Sequence, residues 1–466
     1  MMKKVLIFAL LLINTFILSA QTPAALTQFL NKQNLAHAAV SLKAVDLDTK
    51  KIVVSHNENM SLIPASNMKI VTTATALEKL GSRFYFETPL LYDGFIQDAT
   101  LHGNLYVKGN GDPTIGSEFV PGDKENFLKE WAVAVNRAGI RKIAGNIVVL
   151  DQLFGYEGVS QKWLWEDIGT SYAPGIYGIS VFDNTYCVYL QSSFAGDLTT
   201  VLYTDPKIDN IRLTNEITAS DDSTDDAYAF GIPFAYDMRL YGTIPANRSS
   251  YAVKGAIPDP GLFLATYFRD YLQQNGIAID GETTTYRLHP VTPTEEKVLT
   301  TLRSVDLASI IKTINVQSHN LYAEHLYKKL TLMDWVDIPE FWRMKGLDSD
   351  ALIMYDGSGI SPQNAVSAGF LVDVLVYMDK QSANASAFYQ SLPVAGKSGT
   401  VVSLLRNTPL SGKARLKSGA ITNVQSFSGY VENNGKRYAV SLIINNFTGK
   451  RSDLRREIER LFTGLF

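Results

Sequence analysis

The sequence predicts a mixed α/β (α+β) protein in which a strand-rich middle separates two ends that each combine helices and strands. Three observations lead to this prediction. Helical periodicity marks residues 66–80 and 305–330. Between residues 86 and 290 the chain shows short alternating runs, such as residues 186–190, separated by turn residues. An Asn-Gly turn at residues 434–435 then joins two apolar runs, which predicts a hairpin near the C-terminus.

The length of 466 residues is large for one domain and indicates two or three. Apolar residues make up 46% and charged residues 19%, which is typical of a globular protein with real cores and excludes a disordered or fibrous chain. We expect a core built from residues 21–85 together with 291–466. Residues 86–290 would form an inserted region of one or two smaller domains.

The first twenty residues are typical of a secretory signal peptide. Two lysines precede an apolar run over residues 5–18, and the small residues Ser19 and Ala20 follow it. This run is short for a membrane span, although an N-terminal anchor that stays attached is the alternative. No later stretch is long and apolar enough to cross a bilayer. We therefore expect a protein that is secreted across the inner membrane, is periplasmic and has no stable transmembrane anchor.

Charge and ligand content exclude several other classes. A formal net charge of −3 without a basic cluster argues against nucleic acid as a partner. The single cysteine, Cys187, excludes an internal disulfide. The six histidines and this cysteine lack the spacing of zinc ligands, so we expect no metal and no cofactor. The acidic stretch at residues 221–226 lacks the pattern of a calcium loop and is interpreted as solvated.

Ser66 and Lys69 place a hydroxyl and an amine on one face of the helix predicted over residues 66–80. A serine hydroxyl needs a base before it becomes a good nucleophile. Lysine can be that base when burial or a neighbouring cation brings its pKa toward neutrality. Apolar positions around much of this helix predict that it is buried. The same spacing occurs at Ser309 and Lys312, so the pair alone is weak evidence.

Two further motifs follow, each present in more than one copy. Ser-x-Asn occurs at residues 55–57, 318–320 and 382–384, and Lys-Ser-Gly at 397–399 and 417–419. The order Ser-x-x-Lys, Ser-x-Asn, Lys-Ser-Gly matches the signature of class A β-lactamases and penicillin-binding proteins. We favour the Lys-Ser-Gly copy at 417–419, because an apolar-spaced run leads into it. An edge strand there could pair with a peptide backbone and bind its terminal carboxylate.

Along nearly the whole mature chain the sequence resembles the serine DD-peptidases of family S13, the low-molecular-mass class C penicillin-binding proteins. The segments that carry the resemblance are residues 109–114, 145–151, 318–324, 356–361 and 392–400. The long interval between Ser66 and Ser318 also resembles that family, whose members carry large insertions there. The resemblance implies a serine DD-peptidase/β-lactamase-like core, with an antiparallel sheet flanked by helices and a large strand-rich inserted domain.

The resemblance also implies a role for each matching residue. Ser66 would be the acylated nucleophile and Lys69 its base. Ser318 would relay a proton to the leaving amine, and Asn320 would hold the substrate's amide. Lys417 would supply positive charge that also lowers the pKa of Lys69.

The residues after Lys417 would bind the substrate. Ser418 would contact its terminal carboxylate. Ala420, which follows Gly419, would form the oxyanion hole with Ser66 through their backbone N–H groups.

Three positions depart from the family pattern. His319 replaces the usual Asp or Asn, and we expect its side chain to point away from the substrate. Ser418 replaces the commoner threonine and keeps the hydroxyl. Ala420 replaces a hydroxyl residue, so a side-chain contact is lost while the backbone donor remains. None of these changes removes an essential group, although together they could alter substrate preference or β-lactam affinity.

The implied function is hydrolysis of D-Ala-D-Ala bonds or D-amino-acid cross-links in peptidoglycan stem peptides, with β-lactams as covalent inhibitors. Two alternatives stay open. One is a β-lactamase or esterase on the same scaffold, which needs fast deacylation, although the sequence offers no separate base for that step. The other is a non-catalytic protein that binds peptidoglycan. The sequence does not separate carboxypeptidase from endopeptidase action or define the oligomeric state.

Overall fold

A computed structural model describes residues 23–466, so the signal peptide predicted over residues 1–20 lies outside the described residues. No helix in this part of the chain is both long and apolar enough to cross a membrane. Its α-helices are α1 (Ala24–Leu30), α2 (Met68–Leu80), α3 (Asn126–Arg137), α4 (Pro260–Gln274), α5 (Leu307–Gln317), α6 (Asn320–Lys328), α7 (Ile338–Met344), α8 (Ala368–Lys380), α9 (Ala385–Ser391) and α10 (Arg451–Leu465).

The strands of the described residues form several separate sheets. In chain order they are β1 (Ala39–Asp46), β2 (Ile52–His56), β3 (Ser61–Leu62), β4 (Glu87–Tyr92), β5 (Phe95–Gln97), β6 (Thr100–His102), β7 (Leu105–Lys108), β8 (Lys142–Ile143), β9 (Ile147–Leu150), β10 (Thr185–Ser192), β11 (Thr200–Asp205), β12 (Arg212–Asn215), β13 (Thr218–Ser220), β14 (Asp226–Phe230), β15 (Asp237–Pro245), β16 (Arg248–Ala256), β17 (Ala278–Ile279), β18 (Thr283–Thr285), β19 (Lys297–Arg303), β20 (Val366–Ser367), β21 (Ala414–Ile421), β22 (Val424–Asn433) and β23 (Lys436–Asn445).

The main sheet brings the two ends of the chain together. Its order is β2-β1-β23-β22-β21, and every neighbouring pair is antiparallel. Alternate residues of β23 enter different cores, as the pleat requires. Ile443 packs in the core that contains α2, α5 and α8, whereas Leu442 and Ile444 pack with α1 and α10. The predicted antiparallel sheet flanked by helices is therefore confirmed.

The C-terminal hairpin is also as predicted. β22 and β23 pair in a continuous register that ends at Asn433 opposite Lys436. Between them, Asn434 and Gly435 have φ angles of 51° and 75°. Two successive left-handed residues match the right-handed twist of the strands, which is why Asn-Gly favours this turn. The hairpin leaves β21 at the edge of the main sheet.

Two predicted helices have different boundaries in the structure. The sequence predicts a short helix over residues 26–35. In the structure it is interrupted, because Lys32 is extended and only a 3-10 turn, Gln33–Leu35, follows it. The helix predicted from residue 66 begins as α-helix only at Met68. Ser66 lies in the preceding 3-10 turn, where the N–H of Asn67 donates to Pro64 O. This i→i+3 bond tightens the entry to α2.

The middle of the chain has its own sheets and its own core. One sheet has the order β18-β9-β7-β4-β19, and smaller sheets contain β5, β6, β8 and β17 and the strands β10 to β16. Helices α3 and α4 pack against them in a separate apolar core. β19 (Lys297–Arg303) pairs with β4 (Glu87–Tyr92), so this sheet includes a strand beyond the expected boundary at residue 290. The division of the chain into domains stays a prediction.

Candidate active site

Ser66 and Lys69 meet at the start of α2. Lys69 is 0% exposed, and its Nζ donates to Ser66 Oγ (3.0 Å), Asn320 Oδ1 (2.6 Å) and Ser358 O (2.6 Å). Ser66 is half-buried, so its hydroxyl stays accessible from the surface. The two side chains predicted as a pair are thus within hydrogen-bond distance.

Burial changes the acid–base properties of Lys69. It lowers the pKa of the amine to about 7, while the charges of Glu324 and Asp356 act in the opposite direction. A neutral amine has two hydrogens, and Asn320 Oδ1 and Ser358 O can accept both. The lone pair then faces the Ser66 hydroxyl. This arrangement can remove a proton from serine near neutral pH.

The Ser318-His319-Asn320 segment joins two helices. α5 ends at Gln317, and Ser318 adopts a left-handed conformation (φ 59°, ψ 37°) before α6 begins at Asn320. Such a conformation costs about 1–2 kcal/mol for a residue other than glycine. Ser318 Oγ accepts a hydrogen bond from Lys417 Nζ (2.9 Å), and Asn320 Nδ2 donates to Tyr172 O (2.7 Å). The strained turn thus places both side chains beside the lysines.

Lys417 lies on β21 and is also 0% exposed. Its Nζ donates to Ser418 O (2.6 Å) as well as to Ser318 Oγ. Burial, and after it the charge of Lys69, hold the pKa of Lys417 well below the usual range of lysine. Lys417 was expected to lower the pKa of Lys69, but burial is the main cause of that shift. Two positive charges on Lys69 and Lys417 would repel each other, so the site disfavours the state in which both amines are protonated.

The edge of β21 lies directly against the Ser66 turn. Ser418 Oγ donates to Thr400 Oγ1 (2.7 Å), and Ala420 is exposed at the strand edge. Gly419 packs so closely that an added Cβ would overlap Pro64 O and Ser426 Oγ. Only glycine fits this contact, which holds the strand at the helix start.

The competing copies of the motifs lie elsewhere. Ser309 and Lys312 are exposed on α5, and Lys397 is exposed in a turn. Asn384 donates to Leu77 O (3.0 Å) at the far end of α2. One copy of each motif, containing Ser66, Ser318 and Lys417, therefore comes together.

The His319 side chain is directed toward the middle of the chain. Its Nδ1 accepts from the N–H of Tyr322 (3.3 Å) and caps α6. Its Nε2 lies 3.4 Å from Asp183 Oδ1, and Phe119 packs edge-on against the ring (centroids 4.9 Å apart). The imidazole thus takes part in capping and packing contacts rather than in the contacts among the lysines and serines.

Sequence reasoning assigned no role to two buried carboxyl groups behind Lys69. Glu324 accepts from the N–H of Ser358 (2.7 Å), and Asp356 accepts from that of Gly359 (2.8 Å). Together they fix the carbonyl of Ser358 against Lys69. Burial, and then the charge of Asp356, raise the pKa of Glu324 to about 7. Glu324 follows Asn320 by four residues, so helical spacing could have found it.

The three serines Ser66, Ser318 and Ser418 border a cavity of about 330 Å³. Residues of other elements complete its wall, among them Thr400, Ser403, Leu404, Gln425, Arg451 and Arg455. The sequence gives no signal for these residues, because only tertiary folding brings them to the site. The cavity can accept a ligand whose reacting atom reaches Ser66.

Comparison with known proteins adds an independent line of evidence. The model of the D-Ala-D-Ala carboxypeptidase 3 (S13) family matches residues 22–463. A D-alanyl-D-alanine carboxypeptidase of Actinomadura sp. is 26% identical over 441 residues, covering 89% of this chain and 79% of that protein. The D-alanyl-D-alanine carboxypeptidase DacB of Haemophilus influenzae is 23% identical over 438 residues, covering 90% and 88%.

Solved structures show the same fold. Penicillin binding protein 4 (dacB) from Haemophilus influenzae superposes with a TM-score of 0.80 at 21% identity, covering 94% of this chain and 98% of that chain. A predatory peptidoglycan endopeptidase from Bdellovibrio bacteriovorus has a TM-score of 0.50 at 17% identity, covering 90% of each chain. Because the family model spans nearly the whole length, this chain belongs to the D-Ala-D-Ala carboxypeptidase 3 (S13) family of serine hydrolases.

Proposed function

We propose that this protein is a serine DD-peptidase that cleaves D-Ala-D-Ala bonds or D-amino-acid cross-links in peptidoglycan stem peptides through an acyl-enzyme on Ser66. The observation that carries the proposal is the contact between Lys69 Nζ and Ser66 Oγ (3.0 Å), in a site that lowers the pKa of the amine to about 7. A buried amine of this kind can act as the general base for a serine.

Acylation begins when Lys69 takes the proton of Ser66 and Oγ attacks the carbonyl carbon of the substrate. The developing oxyanion is bound by the backbone N–H groups of Ser66 and Ala420, a type of contact that often makes a large contribution to acyl transfer. Asn320 gives up its hydrogen bond to Tyr172 O and holds the substrate's amide instead. The tetrahedral intermediate then collapses as the peptide C–N bond breaks.

The leaving amine needs a proton at that moment. Ser318 Oγ donates it and is reprotonated from Lys417, with which it already shares a hydrogen bond of 2.9 Å. The terminal carboxylate of the substrate is bound by Ser418. The proton that Lys69 took from Ser66 then passes to Lys417 and replaces the one given to the leaving amine. In the second half of the reaction, neutral Lys69 takes a proton from the attacking water and returns it to Ser66 Oγ as the bond between Oγ and the acyl carbon breaks.

The β-lactamase alternative needs a base that activates water quickly against the acyl-enzyme. Glu324 and Asp356 are the carboxyl groups that influence Lys69, but both are buried and their oxygens accept backbone hydrogen bonds. They support the base and do not line the cavity. This arrangement favours a long-lived penicilloyl-enzyme over rapid turnover of β-lactams.

The cellular location follows from the same proposal. Residues 1–20 have the composition of a signal peptide, and the substrate class lies outside the inner membrane. We therefore assign the protein to the periplasm after export. Detection of the mature protein, beginning near residue 21, in a periplasmic extract would test this assignment, and a full-length protein in the membrane fraction would contradict it.

Labelling with a fluorescent penicillin tests the proposed nucleophile. The wild type and the matched control Ser309→Ala should become labelled, whereas Ser66→Ala should not. Incubation with purified muropeptides and mass spectrometry should then show loss of one D-alanine or splitting of dimers. Rapid loss of the label would favour the β-lactamase, and muropeptide binding without turnover would favour the non-catalytic protein. A folded wild type with neither labelling nor cleavage would contradict the proposal.

A further inference from the structure

The cavity beside Ser66 extends past Ser418 to the C-terminal helix α10, which contributes Arg451 and Arg455 to its wall. Its lining also includes Thr400 and Ser403 from the segment before β21. This part of the cavity lies on the side of Ser418, where the proposed mechanism places the terminal carboxylate of the substrate. A positive charge here would therefore face the group that leaves.

The arginines of α10 differ in their ion pairs. Arg456 pairs with Asp453, and Arg460 pairs with Glu457, both on the outer surface of the helix. The arginines that line the cavity are Arg451 and Arg455. Within residues 23–466, neither of them has a carboxylate at ion-pair distance. The cavity thus contains positive charge that the described protein does not neutralise.

Arg451 uses its guanidinium to hold the turn between β21 and β22. It donates to Ile421 O (2.7 Å), Val424 O (2.7 Å) and Gln425 Oε1 (3.0 Å). Burial of part of the side chain lowers the pKa of this arginine. Because three of its five donors already bind acceptors in this turn, Arg451 has a positioning role for the strand that carries Ala420.

Arg455 has more free hydrogen-bonding capacity. In the cavity its Nη1 donates to Ser403 Oγ (2.5 Å). A guanidinium has five N–H donors, so others can bind a ligand. The side chain of Arg455 is half-buried. One turn further along α10, Glu459 accepts from the N–H of Leu405 (2.9 Å) and ties the helix to the loop that carries Ser403. Helix and loop are therefore fastened together around a cation that can bind an additional anion.

We propose that Arg455 forms, together with Ser418 and Thr400, a subsite for the carboxylate of the leaving D-amino acid. The inference rests on the proposed function and names a specificity residue for it. Ser418 Oγ and Thr400 Oγ1 lie 2.7 Å apart, and both hydroxyls can donate hydrogen bonds to a carboxylate. Arg455 supplies the positive charge. Guanidinium and carboxylate match in shape and bind through charge-assisted hydrogen bonds. The same carboxylate is present in a terminal D-alanine and in a D-amino acid released from a cross-link.

Two peptides and three proteins test this subsite. The peptides are an acyl-D-Ala-D-Ala with a free carboxylate and the same peptide with a C-terminal amide. In the wild type, kcat/KM should be higher for the free carboxylate. In Arg455→Gln, the ratio between the two peptides should fall about tenfold, the size expected for a partly exposed charge-assisted contact. Arg455→Lys should retain more of this ratio than Arg455→Gln.

Arg456→Gln is the matched control, because it removes the same charge from the same helix outside the cavity. Its ratio should equal that of the wild type. An equal loss for both peptides in Arg455→Gln, or no change in the ratio, would overturn the subsite, and thermal unfolding would show whether each variant is folded. A peptide ester with an uncharged leaving group separates the proposed function from the proposed subsite. Mass spectrometry measures whether this ester acylates Ser66. Without acylation of the wild type the proposed function fails, whereas acylation with an unchanged ratio overturns the subsite alone.

Discussion

Two Ser-x-x-Lys pairs occur in this chain, and they differ almost entirely in their surroundings. Ser66 lies in the 3-10 turn before α2 and Lys69 in the first turn of α2, and Lys69 is 0% exposed and contacts three oxygen atoms. Ser309 and Lys312 have the same spacing, but both side chains are exposed on α5. A solvated lysine keeps its proton at neutral pH, whereas burial favours the neutral amine. The spacing brings the two groups together, and burial supplies the neutral amine that the proposed mechanism needs as a base.

The Lys-Ser-Gly copies repeat this difference. Lys417 is buried on a strand edge and donates to Ser318, whereas Lys397 is exposed in a turn. In both motifs the copy that we assign to the active site is the one whose lysine is buried. The comparison therefore predicts that substitutions in one copy abolish function while identical substitutions in the other leave it intact.

The largest difference is expected between Lys69→Met and Lys312→Met. The first substitution removes the base, and its rate of acylation by penicillin should fall by about 10²–10⁴-fold, the usual contribution of general-base catalysis. The second should leave the rate within about twofold, because surface substitutions have small effects. Time courses of fluorescent penicillin labelling measure both rates. A similar loss in the two variants, with both shown to be folded by circular dichroism, would contradict the comparison.

The second difference is between Lys417→Met and Lys397→Met. Removing Lys417 leaves Ser318 without its hydrogen-bond donor at 2.9 Å, so proton delivery to the leaving amine is impaired. We expect kcat/KM for a D-Ala-D-Ala peptide to fall about 10²-fold, as for the loss of one preorganised donor. Lys397→Met should behave as the wild type. A normal rate in Lys417→Met would show that Ser318 acts without this lysine.

The pH dependence of acylation sharpens the comparison further. Only the neutral form of Lys69 can accept a proton, and its pKa is lowered to about 7. The acylation rate should therefore rise about tenfold per pH unit below this value and level off above it. Glu324→Gln removes a charge that raises the Lys69 pKa, so the midpoint should move to lower pH. A rate that is flat from pH 5 to 9, or a midpoint that moves upward, would argue against Lys69 as the base.

The success of sequence reasoning depended on how local each feature is. The hairpin at Asn434 and Gly435 was predictable because two residues determine the turn. Helical periodicity predicted the helices near residues 66–80 and 305–330, whereas the antiparallel sheet flanked by helices was implied by the resemblance to family S13. By contrast, Thr400 and Arg455 reach the cavity through tertiary packing, and no local pattern marks them. The 3-10 turn at Ser66 was missed for the same reason, since Gly359 and Gly419 pack against it from distant segments.

The smallest effect is expected at His319, the residue that departs from the family pattern within the Ser-x-Asn motif. Its ring caps α6 through Tyr322 N and lies 3.4 Å from Asp183 Oδ1, so it stabilises the junction with the middle of the chain. His319→Ala should lower the free energy of unfolding by about 1 kcal/mol, as the loss of an N-cap does. Acylation should change less than about threefold, because the Ser318 and Asn320 contacts to the two lysines do not involve the imidazole. Denaturant unfolding and penicillin labelling measure the two quantities separately, and His319→Asn, which can restore the cap, should recover the stability. A loss of acylation in His319→Ala that matched Lys69→Met, without a loss of stability, would place this histidine among the catalytic groups and overturn its assignment as a packing residue.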